Sequence, residues 1–361
     1  MLKKIIQRKR QHLFLDKLLP MLVALFGMLL LVACTLSGQS VGTTTTPSTI
    51  VNAHITAFSI ASAGCGKINR IVPGTTVREH LLVGGLMRLY SLHIPARYHN
   101  TQKHPLILNF HGHGSNSFEQ ESLTGFSPLA DRQGIIVAYP QGVLGPDHHT
   151  GWDTGSARNP QVNDLLFVSN LLNHLQATLC VDPARIYATG FSNGGGMTNE
   201  LACKMADRIA AFAPVSGAYP QLPGGCDPAR PVSILEIHGT SDMVVPYNGS
   251  SVKGYPPIPQ WLQGWVQRDG CKEGPIVFTN ADGVTGERWQ KCLGDVTIVH
   301  YAIRGLGHMW PVAHYVVIHK GQSATAFDAT TMIWAFFQDH TLPQRLAPSV
   351  VKQDISMPHT S

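Results

Sequence analysis

The sequence predicts an α/β fold, a mostly parallel, doubly wound sheet in a single domain. Three observations carry the prediction. From Cys65 to about His340, short β-rich runs alternate with longer amphipathic ones. The central runs, such as PLILNF and IIVAY, are continuously apolar, as parallel strands covered on both faces require. A hydrophobic content of 43% and a charged content of 14% over 361 residues describe a globular chain with a large core.

In chain order, strands are predicted at 76–82, 87–94 and 105–110, a helix at 120–132, and a strand at 135–139. The next helix, 162–179, places Leu165, Val168, Leu172, Leu175 and Leu179 on one face. RIYATG (185–190) reads as a strand, followed by a helix at 194–206. IAAFAPVS (209–216) and VSILEIH (232–238) are further strands, and 258–269 is a helix. PIVFTNADGVTGERWQ looks like a hairpin excursion ahead of the last strand, VTIVHYAI (296–303), and a helix at 325–338 closes the fold. No internal repeat is present.

Charge is confined to one end. Lys3, Lys4, Arg8, Lys9, Arg10 and Lys17, opposed only by Asp16, account for the whole net charge of +5. From residue 34 onward 21 basic and 21 acidic residues balance, which excludes a basic nucleic-acid surface. The cations precede an apolar run, Leu18 to Ala33, and then Cys34. This is the layout of a secretory signal, and the run is short of the roughly 20 residues that span a bilayer. Leu31-Val32-Ala33-Cys34 resembles a bacterial lipobox, with Cys34 as the lipidated residue; an uncleaved anchor is the alternative. Residues 1–33 are thus expected as a lipoprotein signal peptide and 34–64, with TTTTPST, as a flexible lipid-anchored tether. Residues 65–340 form the folded body and 341–361 a C-terminal tail. The body is expected outside the cytoplasm, at the cell surface, with the membrane as a partner through the anchor.

Six cysteines remain in the body, and an even number in an oxidising compartment suggests three disulfides. Cys271 and Cys292 flank the hairpin and are expected to pair. Cys180 precedes the strand that leads to Ser192, and Cys203 ends the helix running back from it, so these two are expected at one edge. That leaves Cys65 with Cys226.

The stretch ATGFSNGGGMTNEL concentrates glycine around one hydroxyl, Ser192. A helix start capped by Ser192 or Asn193 would be the plain reading. The G-x-S-x-G order between a strand and a helix is instead that of a nucleophile held on a strained turn. Such a serine needs a base, and the base needs an acid to fix its tautomer. Asp242 stands just past strand 232–238 and His308 just past strand 296–303, in the order Ser, Asp, His and at the carboxyl edge of the sheet, where ligands bind. Asp227, Asp282 and Asp295 are rival acids, and His238, His300 and His314 rival bases, all within strands or less well placed turns. For the developing oxyanion, donors are expected from the backbone N–H of Asn193 and of His113 in NFHGHGSN, with Gly114 as fallback. His111 and His113 could also form a metal pair, but no carboxylate or third histidine stands near them in the sequence. No metal is expected, and no cofactor motif is present.

NFHGHGSN, CVDPARIYATGFSNGGGMTNELAC, IAAFAPVSGAY, EIHGTSDMVVPYNG, IPQWLQGWVQRDGC and GLGHMWP together resemble secreted α/β-hydrolase esterases, the group of feruloyl esterases and polyhydroxybutyrate depolymerase-like proteins. The match runs from Cys65 to Phe337. It implies an α/β-hydrolase fold, Ser192, Asp242 and His308 as catalytic triad, and a serine carboxylic ester hydrolase, closest in its nucleophile segment to feruloyl esterases of plant polysaccharide. Relatives tend to carry paired acids where this chain has VND (162–164), so no role passes to Asp164. Trp152, Tyr247 and Trp310 are candidates for stacking on an aryl acyl group. Hydrolysis of short polyester oligomers is the alternative within the class. From another class, a catalytically inactive lipoprotein binding glycans or aryl compounds would have no need of all three triad residues. A peptidase is disfavoured because no added propeller or cap domain is visible.

Overall fold

An antiparallel pair, β1 (Thr75–Val83) and β2 (Leu86–Ile94), opens the sheet through the turn at Gly84 and Gly85. The computed structural model describes residues 62–68, 70–155, 162–312 and 327–343. The signal segment, Cys34, nearly all of the tether and the tail beyond residue 343 lie outside the described residues.

Strand β3 (His104–Phe110) follows. The helix predicted at 120–132 is two helices, α1 (Ser117–Thr124) and α2 (Phe126–Gln133). Gly125 separates them in the left-handed region at φ 62°, its N–H capping Glu121 O, a conformation that glycine adopts without a steric penalty. Then come β4 (Ile136–Pro140), the two-residue strands β5 (Val143–Leu144) and β6 (Thr150–Gly151), and α3 (Asp164–Thr178), whose N-cap Asn163 accepts from Leu166 N–H. Strand β7 (Val181–Phe191) leads to α4 (Asn193–Lys204), and β8 (Ala211–Val215) and β9 (Ser233–Gly239) to α5 (Ile258–Arg268). The expected hairpin is β10 (Glu273–Ala281) and β11 (Val284–Gln290), followed by β12 (Ile298–Ile303) and α6 (Ala329–Gln338), capped by Asp328.

The ten strands lie in the order β1-β2-β4-β3-β7-β8-β9-β12-β11-β10. The segment β4 through β12 is parallel, and the antiparallel pairs β2/β1 and β11/β10 close the edges. Successive side chains of a strand point to opposite faces, so each central strand feeds two cores. Leu106, Leu108 and Phe110 meet α3, α4 and α5 on one face, while Ile107, Val137 and Tyr187 meet α2 and α6 on the other. This is the doubly wound α/β-hydrolase arrangement.

Cysteines pair as Cys65–Cys180, Cys203–Cys226 and Cys271–Cys292. The hairpin pair is as expected; Cys180–Cys203 and Cys65–Cys226 are not formed. The reason lies in where two segments run. The N-terminal segment lies along the start of β7, with Gly64 N–H donating to Gln176 O and Ser62 Oγ bridging Leu179 O and Val181 N–H. That sets Cys65 beside Cys180. Helix α4 packs across both β7 and β8 rather than back along β7 alone, which carries Cys203 toward the segment before β9. Replacing Cys65 and Cys180 together by serine is expected to lower the unfolding free energy by about 2–4 kcal/mol, because that bond closes a long loop in the unfolded chain. Urea unfolding measures it, and an unreduced peptide map that links Cys65 to any other cysteine would overturn the pairing.

Candidate active site

Ser192 sits between β7 and α4 at φ 57° and ψ −117°, a left-handed conformation that serine rarely takes. The turn is held from both sides, Ser192 N–H donating to Val215 O and Ser192 O accepting from Gly196 and Ala218 N–H. The glycines answer to contact. A Cβ on Gly194 would lie 2.1 Å from Phe110 O, and one on Gly196 would lie 2.4 Å from Ala218 O. Close approach of helix to strand therefore demands glycine, and the serine is lifted above the sheet edge.

The other two loops are zipped together. β9 and β12 are parallel neighbours, and beyond their ends Thr240 N–H donates to Ile303 O, Ser241 N–H to Leu306 O and Gly305 N–H to Thr240 Oγ1. This sets Asp242 and His308 side by side. Asp242 Oδ1 accepts from the N–H groups of Val244 and Val245 at 2.8 Å, and Oδ2 lies 2.7 Å from His308 Nδ1. His308 Nε2 lies 2.9 Å from Ser192 Oγ. A carboxylate only accepts, so Nδ1 carries the proton and Nε2 faces the serine hydroxyl as acceptor. Phe191 packs against the His308 ring at 4.8 Å. Ser192, Asp242 and His308 are thus one hydrogen-bonded chain. Burial works to raise the Asp242 pKa, but hydrogen bonds from His238 and His308 and the backbone N–H groups hold it well below the usual carboxylate range.

Behind that chain is a buried polar network that the sequence reading passed over, having weighed His238 and His300 only as rival bases. His238 Nδ1 lies 2.8 Å from Glu236 Oε1, while Nε2 lies 2.9 Å from Val245 O and 3.4 Å from Asp242 Oδ2. Both ring nitrogens face acceptors, so His238 is an imidazolium. Burial would lower its pKa, but the Glu236 carboxylate and the hydrogen bonds to Asp242, Glu236 and Val245 O raise it to about 10. His300, the register partner of Glu236 on β12, lies 2.7 Å from Glu236 Oε2 and hydrogen-bonds Tyr247 Oη through Nε2. A signal was present in EIH: two polar residues at spacing two, on one face of an otherwise apolar strand.

The aromatic candidates are placed differently from expectation. Trp152 is fully buried, its Nε1 donating to His111 O and its ring edge-on to Phe110 at 5.2 Å. Trp310 is buried and donates to Thr330 Oγ1. Both fill space beneath loops and neither offers a stacking face, because both rings are buried. Tyr247 is half-buried with its hydroxyl committed to His300.

Around the expected oxyanion donors, the Asn193 side chain bonds both the N–H and the C=O of Trp152, which fixes the residue that follows the serine. A Cβ on Gly112 would touch Ser192 Cβ at 3.4 Å, so the 111–114 loop borders Ser192. Gly114 N–H donates to Thr150 O, which removes the fallback donor. Burial holds His111 neutral, its pKa lowered to about 4, with Nε2 accepting from Gly142 N–H. His113 instead meets Asp147 and His149, whose ligand atoms lie within 4.8 Å of one another and of its own. The carboxylate and second histidine that the sequence did not place near His113 are therefore brought to it by the 141–151 loop. Asp164 carries a structural bond, an ion pair of 2.7 Å with buried Arg88, while its other oxygen accepts from Asp153 N–H. Asp282 and Asp295 occupy turns at positive φ, Asp227 is exposed, and His314 lies outside the described residues.

A strained strand–turn–helix serine, an acceptor imidazole and an ionised carboxylate in line can perform acyl transfer. The family described as phospholipase/carboxylesterase matches residues 159–253. Feruloyl esterase B of Piromyces equi is 35% identical over 224 residues, 59% of this chain and 41% of that protein, so the chain spans under half the length of that relative. A probable feruloyl esterase C of Aspergillus clavatus is 32% identical over 222 residues, 60% of this chain and 71% of that protein. Among solved structures, a thermostable esterase is similar in fold, with a TM-score of 0.50 at 16% identity, covering 74% of this chain and 63% of that one. The chain belongs to the α/β-hydrolase family of carboxylic ester hydrolases that includes these feruloyl esterases.

Proposed function

We propose that the protein is an extracellular serine carboxylic ester hydrolase acting on feruloylated plant polysaccharide. The observation that carries this reading is the hydrogen-bonded chain Asp242–His308–Ser192 on a strained turn. In the proposed reaction Ser192 Oγ attacks the ester carbonyl while His308 Nε2 takes its proton, and His308 then delivers that proton to the departing sugar oxygen. Water, deprotonated by His308, attacks the acyl-enzyme, and the proton returns to Ser192 as the free acid leaves. Asp242 keeps the imidazole in the required tautomer and stabilises its charged form. Backbone N–H groups of Asn193 and His113 are assigned to the oxyanion.

Three disulfides favour an oxidising compartment, in keeping with export and with Cys34 as a lipid attachment point. The test is a hydrolysis panel of methyl ferulate, acetylated xylan and 3-hydroxybutyrate oligomers on the soluble body. Preferred turnover of methyl ferulate is expected. Turnover confined to 3-hydroxybutyrate oligomers would replace the reading by polyester hydrolysis, and turnover of none would reject it.

A further inference from the structure

Between helices α4 and α5 and the segments that follow β8 and β9 lies a cavity of about 990 Å³. This is at the upper end of the range for small-molecule sites and larger than one sugar ring needs. Its walls continue two loops of the active site. One begins with Tyr219, the residue after Ala218, whose N–H donates to Ser192 O. The other is the segment 248–257, which follows the turn where Val244 and Val245 donate to Asp242.

The floor is aromatic. Trp261 stacks on Tyr219 with centroids 4.0 Å apart and planes 10° from parallel, and Trp265 packs edge-on to Trp261. Both indole N–H groups donate to Asn199 Oδ1, so the rings are fixed in orientation. All three rings line the cavity; Tyr219 and Trp265 are buried and Trp261 is partly buried. Around it stand the exposed neutral groups of Gln221, Asn248, Ser251 and Gln260. Among the described residues Arg268 is the one charged lining residue, and its guanidinium already lies over Trp265 and donates to Cys226 O.

This chemistry selects a ligand. An acyl chain would leave the amides and hydroxyls of the rim unpaired, and an anion would find one cation that is already engaged. A neutral, hydroxyl-rich ring with an apolar face satisfies both parts: its face lies on the indole and its hydroxyls exchange hydrogen bonds with the amides. We propose that the cleft is a glycan subsite that holds the neutral sugar chain on the leaving-group side of the ester. The proposal rests on the reading of the active site given above.

Two measurements test it. Unesterified xylo-oligosaccharides are titrated into the protein while tryptophan fluorescence is followed, with saturable binding expected. The ratio of kcat/KM for a feruloylated arabinoxylo-oligosaccharide to that for methyl ferulate is then compared between variants. Trp261→Ala is expected to lower this ratio about tenfold, equivalent to about 1.4 kcal/mol, with partial recovery in Trp261→Phe. The doubly substituted Gln221→Ala/Gln260→Ala variant, altered only at exposed side chains, reads the same ratio should Trp261→Ala fail to fold. An unchanged ratio in the glutamine variant and in every folded Trp261 variant, or no saturable binding, overturns the subsite. If neither ester is turned over, the active-site reading fails, while the titration still decides the cleft by itself.

Discussion

Ser192→Ala is expected to lower kcat for ester hydrolysis by about a million-fold, the scale seen when a serine hydrolase loses its nucleophile. Folding is expected to be nearly unaffected. The contacts that hold the turn are made by backbone, Ser192 N–H to Val215 O and Ser192 O from Gly196 and Ala218 N–H, and alanine keeps them all. Among the described residues its hydroxyl bonds only His308 Nε2, at a half-buried position where water can replace it. Turnover of methyl ferulate and thermal unfolding together check the expectation. Near-normal turnover in a folded variant would remove Ser192 from the chemistry.

His238→Gln is expected to cost about 3–5 kcal/mol of stability, the range for removing one partner of a buried ion pair. The residues facing His238 are Glu236, Asp242 and the Tyr247 ring, with His300, His308 and Tyr219 behind them. Without the imidazolium the buried Glu236 and Asp242 carboxylates lose the cation that lies between them. The sign with pH follows from the raised folded pKa. Below about pH 6.5, where unfolded histidine is also protonated, the contribution is fully present, and it is lost as pH rises through about 10. Wild-type stability should therefore fall more steeply between pH 7 and pH 10 than that of the variant, by urea unfolding across that range.

Activity gives the second readout. His238 is fully buried, so its expected role is to position, keeping Asp242 ionised and aimed at His308. The variant is expected to lose about tenfold in kcat, about 1.4 kcal/mol in barrier, with KM little changed and the acidic limb of the rate profile moved to higher pH. A kcat and limb unchanged in a folded variant would reduce His238 to packing.

Local pattern explains why so much was legible. The central stretches of β3, β4 and β7 to β9 are buried and mostly apolar because both faces are covered, and their run lengths could be read directly. The Ser192 turn was legible because the glycines around it answer to backbone contacts at fixed short spacings, with Phe110 O and Ala218 O pressing on the turn. The meeting of Asp242 and His308 with Ser192 was legible because both stand just past the ends of neighbouring parallel strands. The split between α1 and α2 at Gly125 was missed because apolar periodicity continues across the break.

Sequence alone determined the strand–helix alternation, the serine turn and the order of its partners, since each depends on neighbours within a few residues. Only tertiary structure decided which partners Cys65, Cys180, Cys203 and Cys226 take, where the tryptophans point, and that Glu236, His238 and His300 form one buried network. Those outcomes depend on how α4 crosses the sheet, how the 141–151 loop folds back, and which strands lie in register. Packing between residues far apart in the chain sets all three, and the spacing of residues along one segment carries no record of it.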